Sequence, residues 1–406
     1  MMRFNSKQLL TAIDIGNASI RAACVTNVNG DLVIKGVAEK PSIGVKRSGI
    51  VNLEAASEVI DEVVSELDRQ TSSKTKNIHF GISGMSIHGI NSHGVVAIKD
   101  GEVDQGDLNR VLDAARAVKT PADQRIFHVI PQEYSIDDQK EIRKPMGMSG
   151  VRLEASVHLV LGSQTILQNV QKAITRCGIT PLSATFTGLA SANSVLSAED
   201  KDLGVAVIDI GAGVTTMVCY IGSGVQFTHV VPIGSDHVTA DIAVALRVPM
   251  NEAERLKRTH GVMLGENASD ESLMINGSRI NRTVGSKWLN EIIEARYQDI
   301  FSSIKAQMIK YDLKDQLAAG IVLTGGGSML PGCVEMGELI CGVPAMIGEP
   351  HSDQWGDGLI SPRYAALAGI LHQSAFSVDA TKNMCQHQSS YSGVFGRIKQ
   401  LFEENF

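Results

Sequence analysis

The sequence predicts an α/β fold built from two related lobes. Three observations carry this. Thr11–Val25 reads T-A-I-D-I-G-N-A-S-I-R-A-A-C-V and Ala206–Tyr220 reads A-V-I-D-I-G-A-G-V-T-T-M-V-C-Y, so I-D-I-G and a later cysteine coincide without gaps. A further strand pattern runs straight into glycines in A-A-G-I-V-L-T-G-G-G-S-M-L-P-G, Ala318–Gly332. The chain of 406 residues, 43% of them apolar, is long enough for more than one core.

The first segment is an apolar strand, a turn of small residues and a second apolar strand. Such a turn (Gly16, Asn17, Ala18, Ser19) lets backbone N–H groups approach an anion closely, and Asp14 at the strand end can orient Mg²⁺ waters or a nucleophile. The second copy repeats the device with Asp209, Gly211, Ala212, Gly213, Thr215 and Thr216. One copy alone would be an ordinary hairpin. Two copies about half a chain apart predict two lobes clasping one phosphate chain.

Between the copies, Ile78–Ser83 reads as a strand, Ile87–Lys99 as a hairpin and Asp104–Val118 as a helix. Arg125–Tyr134 and Val151–Leu161 read as strands, and Ser163–Arg176 as a helix. Beyond the second copy, N-E-A-E-R-L-K-R-T-H-G (Asn251–Gly261) places Glu254 and Lys257 on one helix face. The carboxylate suits ribose hydroxyls and the ammonium suits ring or phosphate oxygens; a surface ion pair is the alternative. The turn Gly325, Gly326, Gly327, with Met329 after it, lets a flat base or ribose lie against bare backbone. Neither a G-x-G-x-x-G fingerprint nor a P-loop occurs.

Composition narrows the partners. A net charge of -7 and 4% aromatic residues leave neither an electrostatic footprint nor stacking platforms for nucleic acid. Six separated cysteines, with no metal-type spacing, read as reduced thiols. The N-terminus M-M-R-F-N-S-K-Q-L-L lacks a secretory signal pattern, and no apolar run suffices to span a bilayer, so a cytosolic chain is expected.

Together, D-I-G-N-A-S, D-I-G-A-G-V-T-T, the A-E-R-L-K helix and I-V-L-T-G-G-G resemble the actin, heat-shock chaperone and sugar-kinase superfamily. Within it, F-H-V-I-P-Q-E-Y-S-I-D, G-M-S-G-V-R-L-E-A-S-V-H-L-V, T-G-L-A-S-A-N-S-V-L-S-A-E-D-K-D-L-G-V and N-E-I-I-E-A-R-Y resemble the FtsA family of bacterial division proteins, from about Leu10 to the end. The resemblance implies a two-lobed actin-like (ribonuclease-H-like) ATPase fold, with an inserted α+β subdomain in the first lobe. It implies a first lobe of residues 1–83 and 163–202, returning near 361–376, and an insert of 84–162 in place of the actin insert. The second lobe would take 203–240 and 306–360, its smaller subdomain 241–305, a linker 377–390 and an amphipathic membrane-targeting helix 391–406.

The same resemblance implies ATP and Mg²⁺ between the lobes, the ion reached by Asp14 and Asp209 through its waters. It implies actin-like protofilaments, a hold on the tail of FtsZ, and recruitment of later division proteins through the insert, at the cytoplasmic face of the inner membrane. Arg296 is the residue expected to contact the acidic FtsZ tail, a solvated helix charge being the alternative. The connection Phe186-Thr187-Gly188-Leu189-Ala190-Ser191 lacks a carboxylate or amide to orient water, so hydrolysis is expected to be slow or absent. An ATPase or small-molecule kinase on the same fold, and a pilus-type actin-like adaptor, are the competing readings.

The closing residues supply an independent signal. On a helix, Tyr391, Val394, Phe395, Ile398, Leu401, Phe402 and Phe406 fall within an arc of roughly 140°. Arg397 and Lys399 lie at its edges, where they can snorkel to lipid headgroups. A terminal helix folded back on the core is the alternative. Partial burial of this face in lipid is worth on the order of 5 kcal/mol, which is millimolar to sub-millimolar binding for one tail. Many tails along a polymer would hold by avidity.

Overall fold

A computed structural model of the chain describes residues 9–28, 31–222, 224–264, 271–275, 282–351 and 358–375. The linker and amphipathic helix expected at 377–406 lie outside these residues.

The chain opens with β1 (Leu10–Ile15), β2 (Ser19–Val28), β3 (Asp31–Pro41), a small hairpin of β4 (Val45–Lys46) and β5 (Gly49–Ile50), α1 (Leu53–Thr71) and β6 (Asn77–Ile82). An insertion follows: β7 (His88–Ala97), α2 (Gln105–Arg116), β8 (Gln124–Ile136), β9 (Gln139–Ile142) and β10 (Arg152–Ser163). The chain returns through α3 (Gln164–Arg176), β11 (Thr180–Phe186), α4 (Thr187–Val195) and α5 (Ala198–Leu203). The second half holds β12 (Val205–Ile210), β13 (Thr215–Ile221), β14 (Gly224–Val231), α6 (Ser235–Leu246) and α7 (Met250–His260). It continues with β15 (Ser272–Ile275), β16 (Arg282–Gly285), α8 (Ser286–Lys310), β17 (Ile321–Thr324), α9 (Cys333–Cys341) and β18 (Ala345–Ile347). A closing helix, α10, spans 365–375.

The repeat seen in the sequence is a repeat of topology. One five-stranded sheet runs β11-β6-β1-β2-β3 and the other, read from its far edge, β18-β17-β12-β13-β14. In each, three antiparallel strands are followed by two parallel ones. The hairpins match rung for rung: Asp14 faces Arg21 across β1 and β2, and Asp209 faces Thr216 across β12 and β13. Each turn closes with the same bond, from Gly16 N to the Ser19 carbonyl (3.1 Å) and from Gly211 N to the Val214 carbonyl (3.0 Å).

Helices cover the sheets for ordinary reasons. Asn52 caps α1 by accepting from Ala55 N (3.2 Å), and the helix buries Ala56, Val59, Ile60, Val63, Val64 and Leu67 on the first sheet. The second lobe has its own core, into which α8 sends Leu289, Ile293, Tyr297, Ile300, Phe301 and Ile304. The first core also reaches across to Val205, Val207 and Val218, so the two sheets are joined by buried apolar surface. Five described cysteines are free thiols, and no helix among the described residues is long and apolar enough to cross a membrane.

The inserted sheet runs β7-β10-β8-β9 in antiparallel fashion, with α2 on one face and a separate core. Here one expectation fails: Ile87–Lys99 holds a single strand, β7, paired along its length with β10, and not a hairpin. Within β7, Gly94 serves close approach to α2. A Cβ there would collide with the Val111 carbonyl and the backbone of Ala115 on α2. Gly94→Ala is therefore expected to cost about 1–3 kcal/mol as α2 is pushed off the sheet, read as a lower urea midpoint. An unchanged midpoint would contradict this packing.

Candidate functional site

The two hairpins face each other across a cleft of about 1100 Å³. Asp14, Gly16, Asn17, Ala18 and Ser19 line it from the first lobe, and Asp209, Gly211, Ala212, Gly213 and Thr216 from the second. Glu254 and Lys257 come from α7, and Gly325, Gly326, Gly327 and Met329 from the turn after β17. One predicted residue does not belong. Thr215 is fully buried and its hydroxyl donates to the Ile233 carbonyl (2.8 Å). Successive strand residues point to opposite faces, so Thr216 takes the cleft side and Thr215 the core side.

The lobes touch through their turns. A Cβ on Gly213 would overlap the Asn17 carboxamide, so the second turn must be bare where the first one reaches it. Asn17 Oδ1 accepts from Ser48 N (2.6 Å), and the same side chain lies beside Asp236 at the start of α6, where it opposes the rise that burial gives that carboxyl. Asn17 thus ties its own lobe to the opposite one.

Asp14 and Asp209 meet at the cleft floor, each with protein crowding it on every side but the opening. Burial pushes the Asp209 carboxyl up to about 6; the Ser191 hydroxyl, donating to Oδ2 (2.6 Å), opposes this, and Asp14 nearby adds to it. Burial pushes Asp14 up as well, against Arg21 and with Glu39. Two hard, protein-enclosed carboxylates that resist ionising suit a hydrated divalent cation, which would favour their charged form. Thr216 Oγ1 and Ser83 Oγ are buried in the same wall and bond no atom of the described residues. They are fitting groups for an oxygen-rich ligand.

Sequence reasoning passed over Ser191. It lies in α4, the T-G-L-A-S connection, which follows directly on β11. Phe186 N at this junction donates to His128 Nε2 on β8 (2.9 Å), and burial pushes that imidazole down to about 4, leaving it a neutral acceptor. The insert is thereby bonded to the helix that holds Asp209. Arg21, Glu39 and Arg363 also line the cleft and were not singled out. Arg21 sits at the repeat position of Thr216, which was the available signal.

At the other end of the cleft, Glu254 and Lys257 pair (2.6 Å), as an i,i+3 spacing allows, with the carboxylate exposed and the ammonium buried. Lys257 is buried, and its ammonium also donates to the Ser235 carbonyl (3.1 Å) and Thr239 Oγ1 (2.8 Å). Thr239 Oγ1 donates in turn to Glu254 Oε2 (2.6 Å). The glycine turn is fixed from both sides. Gly325 N donates to the Pro362 carbonyl (3.1 Å), and the Tyr297 hydroxyl donates to the Gly327 carbonyl (2.6 Å).

Arg296 stands elsewhere, on α8. Its guanidinium grips Asp241 through Nε (2.7 Å) and Nη2 (3.1 Å), and Asp299 through Nη1 (3.0 Å). It borders a smaller pocket of about 400 Å³ with Val244, Ala245, Ile292 and Ala295. Val394, Phe395, Arg397, Ile398, Lys399, Leu401, Phe402 and Phe406 lie outside the described residues.

Comparison with known proteins agrees on one family. Residues 84–161 match the model of the SHS2 domain inserted in FtsA, and residues 206–369 that of cell division protein FtsA. The chain is 36% identical to cell division protein FtsA of Pseudomonas aeruginosa over 100% of both chains. It is 34% identical to that of Escherichia coli K12 over 92% of this chain and 91% of the relative. Among solved structures, the PilM-PilN type IV pilus biogenesis complex aligns with a TM-score of 0.66 at 16% identity, over 90% of this chain and 98% of the other. MreB5 of Spiroplasma citri bound to AMPPNP aligns at 0.56 and 12%, over 94% and 99%. The MamK double helical filament aligns at 0.52 and 11%, over 90% and 98%.

The raised Asp209 pKa has a measurable sign. An acid raised from 3.8 to about 6 holds its proton more tightly folded than unfolded. Its stabilisation is complete below about pH 4 and is lost as pH rises through about 6. Without nucleotide or metal, Asp209→Asn should therefore gain on the parent by up to about 3 kcal/mol between pH 4 and 7 in urea unfolding. A pH-independent difference would contradict the shift.

Proposed function

The chain belongs to the FtsA family of cell division proteins and has the actin-like fold, and on that premise we propose that it binds ATP with Mg²⁺ between its lobes. The observation that carries this is the meeting of two equivalent hairpins, with Asp14 and Asp209 at their bases, in one cleft with a bare glycine turn. Turn N–H groups of both hairpins hold the phosphates. Asp14 and Asp209 would hold the ion, which would supply charge neutralisation along the phosphate chain. Glu254, fixed by Lys257, holds the ribose end, and Gly325 to Gly327, with Met329, face the base.

Hydrolysis is slow or absent in this reading. The connection from Phe186 to Ser191 offers hydroxyls, from Thr187 and Ser191, and no carboxylate or amide to orient water. Nucleotide binding then serves as a conformational and assembly switch, and the chain polymerises into actin-like protofilaments. The smaller subdomain (241–305) receives the tail of FtsZ and the insert (84–162) receives later division proteins. An acidic tail reaching Arg296 has to displace Asp241 or Asp299, which makes that contact exchangeable and salt-sensitive.

The closing helix read from the sequence holds the assembly on the cytoplasmic face of the inner membrane at the division site. One tail binds weakly, so attachment follows polymerisation. Flotation with liposomes and ATP should recover the full chain and not one cut after Ser390. Phe402→Glu should abolish flotation while leaving ATP affinity unchanged, and Lys257→Ala should lower ATP affinity at least roughly tenfold and flotation with it. Flotation of the truncated chain, or loss of ATP binding in Phe402→Glu, would overturn the reading of a separate anchor.

A further inference from the structure

Three neighbouring strands carry one charged rung on the cleft floor: Asp14 on β1 faces Arg21 on β2, which faces Glu39 on β3. Arg21 Nε donates to Glu39 Oε1 (3.1 Å) and Nη1 to the Arg363 carbonyl (2.9 Å). Arg363 adds a second guanidinium to Glu39, while its Nε is buried and bonds no atom of the described residues. Burial pushes Glu39 up, and Arg21 and Arg363 more than offset it, so its carboxyl lies below its ordinary value.

The direction of the cleft gives this rung a role. The groups suited to ribose and base, Glu254, Lys257 and Gly325 to Gly327, all belong to the second lobe. A phosphate chain starting there points toward the first hairpin, so its far end meets Asp14, Arg21 and Glu39. Lys257 has its three protons engaged by Glu254, Ser235 and Thr239 and cannot serve that end without breaking those bonds. Arg258 lines the cleft from α7, in the second lobe. Arg21 has five N–H donors, of which Glu39 and the Arg363 carbonyl fix two.

We propose that Arg21 is the residue by which this chain tells a nucleoside triphosphate from a diphosphate. Its guanidinium is held in place by Glu39 and Arg363 and donates to the terminal phosphate, a group that the diphosphate lacks. The inference rests on the reading of the cleft as an ATP site and adds to it a source of discrimination. The turn that carries Arg363 also binds the glycine turn of the second lobe, through Pro362 and Gly325 N. Recognition at Arg21 is thus one bond removed from both lobes.

Calorimetric titration of the full chain with Mg-ATP and Mg-ADP tests it. The parent should prefer ATP. Arg21→Ala should weaken ATP by roughly 10- to 100-fold and ADP by less than about threefold, as loss of one charge-assisted contact to the terminal phosphate requires. Glu39→Gln weakens the ion pair that holds Arg21 and should narrow the preference for ATP severalfold. This second variant decides the matter if Arg21→Ala fails to fold. Equal loss of both nucleotides in Arg21→Ala, no change there, or an unchanged or widened preference in Glu39→Gln overturns the inference and leaves the ATP site standing. A parent that binds neither nucleotide overturns both.

Discussion

The structure turns on the placing of two carboxylates, Asp14 and Asp209, side by side in a protein-enclosed floor. Burying like charges together is costly, and each is pushed toward its neutral form. The groups around them are answers to that cost. Ser191 donates to Asp209, Arg21 faces both acids, and Glu39 with Arg363 fixes Arg21. The two sheets bring one acid each because each ends its first strand in the same hairpin, and the turns lock where Asn17 meets the bare Gly213.

What the sequence made legible follows from what is local. A hairpin with D-I-G at its bend is specified by consecutive residues, so both copies, the α7 helix and the glycine turn could be placed before any coordinates. Alternation along β13 was equally local, and it separates Thr216 from Thr215, a distinction that the pattern T-T contains but does not announce. The stretch Ile87–Lys99 was misread as a hairpin because the partner of β7 is β10, far along the chain, and nothing local names it. Ser191, Glu39 and Arg363 were illegible for a related reason. Their partners are 18 to 342 residues away, and nothing next to them in the chain marks the meeting.

The same arrangement suggests how binding in the cleft reaches the rest of the molecule. His128 of the insert takes the amide at the base of α4, and α4 holds Asp209 through Ser191. The turn of Pro362 and Arg363 joins Gly325 of one lobe to Arg21 of the other. These bonds connect the cleft wall to the insert and one lobe to the other.

The central claim is that Asp14 and Asp209 act as one cation site shared by two lobes. Its most direct measurement is ATP affinity with and without Mg²⁺ for the parent, Asp14→Asn, Asp209→Asn and the double variant. The account predicts that Mg²⁺ strengthens ATP binding at least about tenfold in the parent, and that either single change removes as much of this gain as both together. ATP binding indifferent to Mg²⁺ in the parent, or losses that simply add as for independent sites, would contradict it.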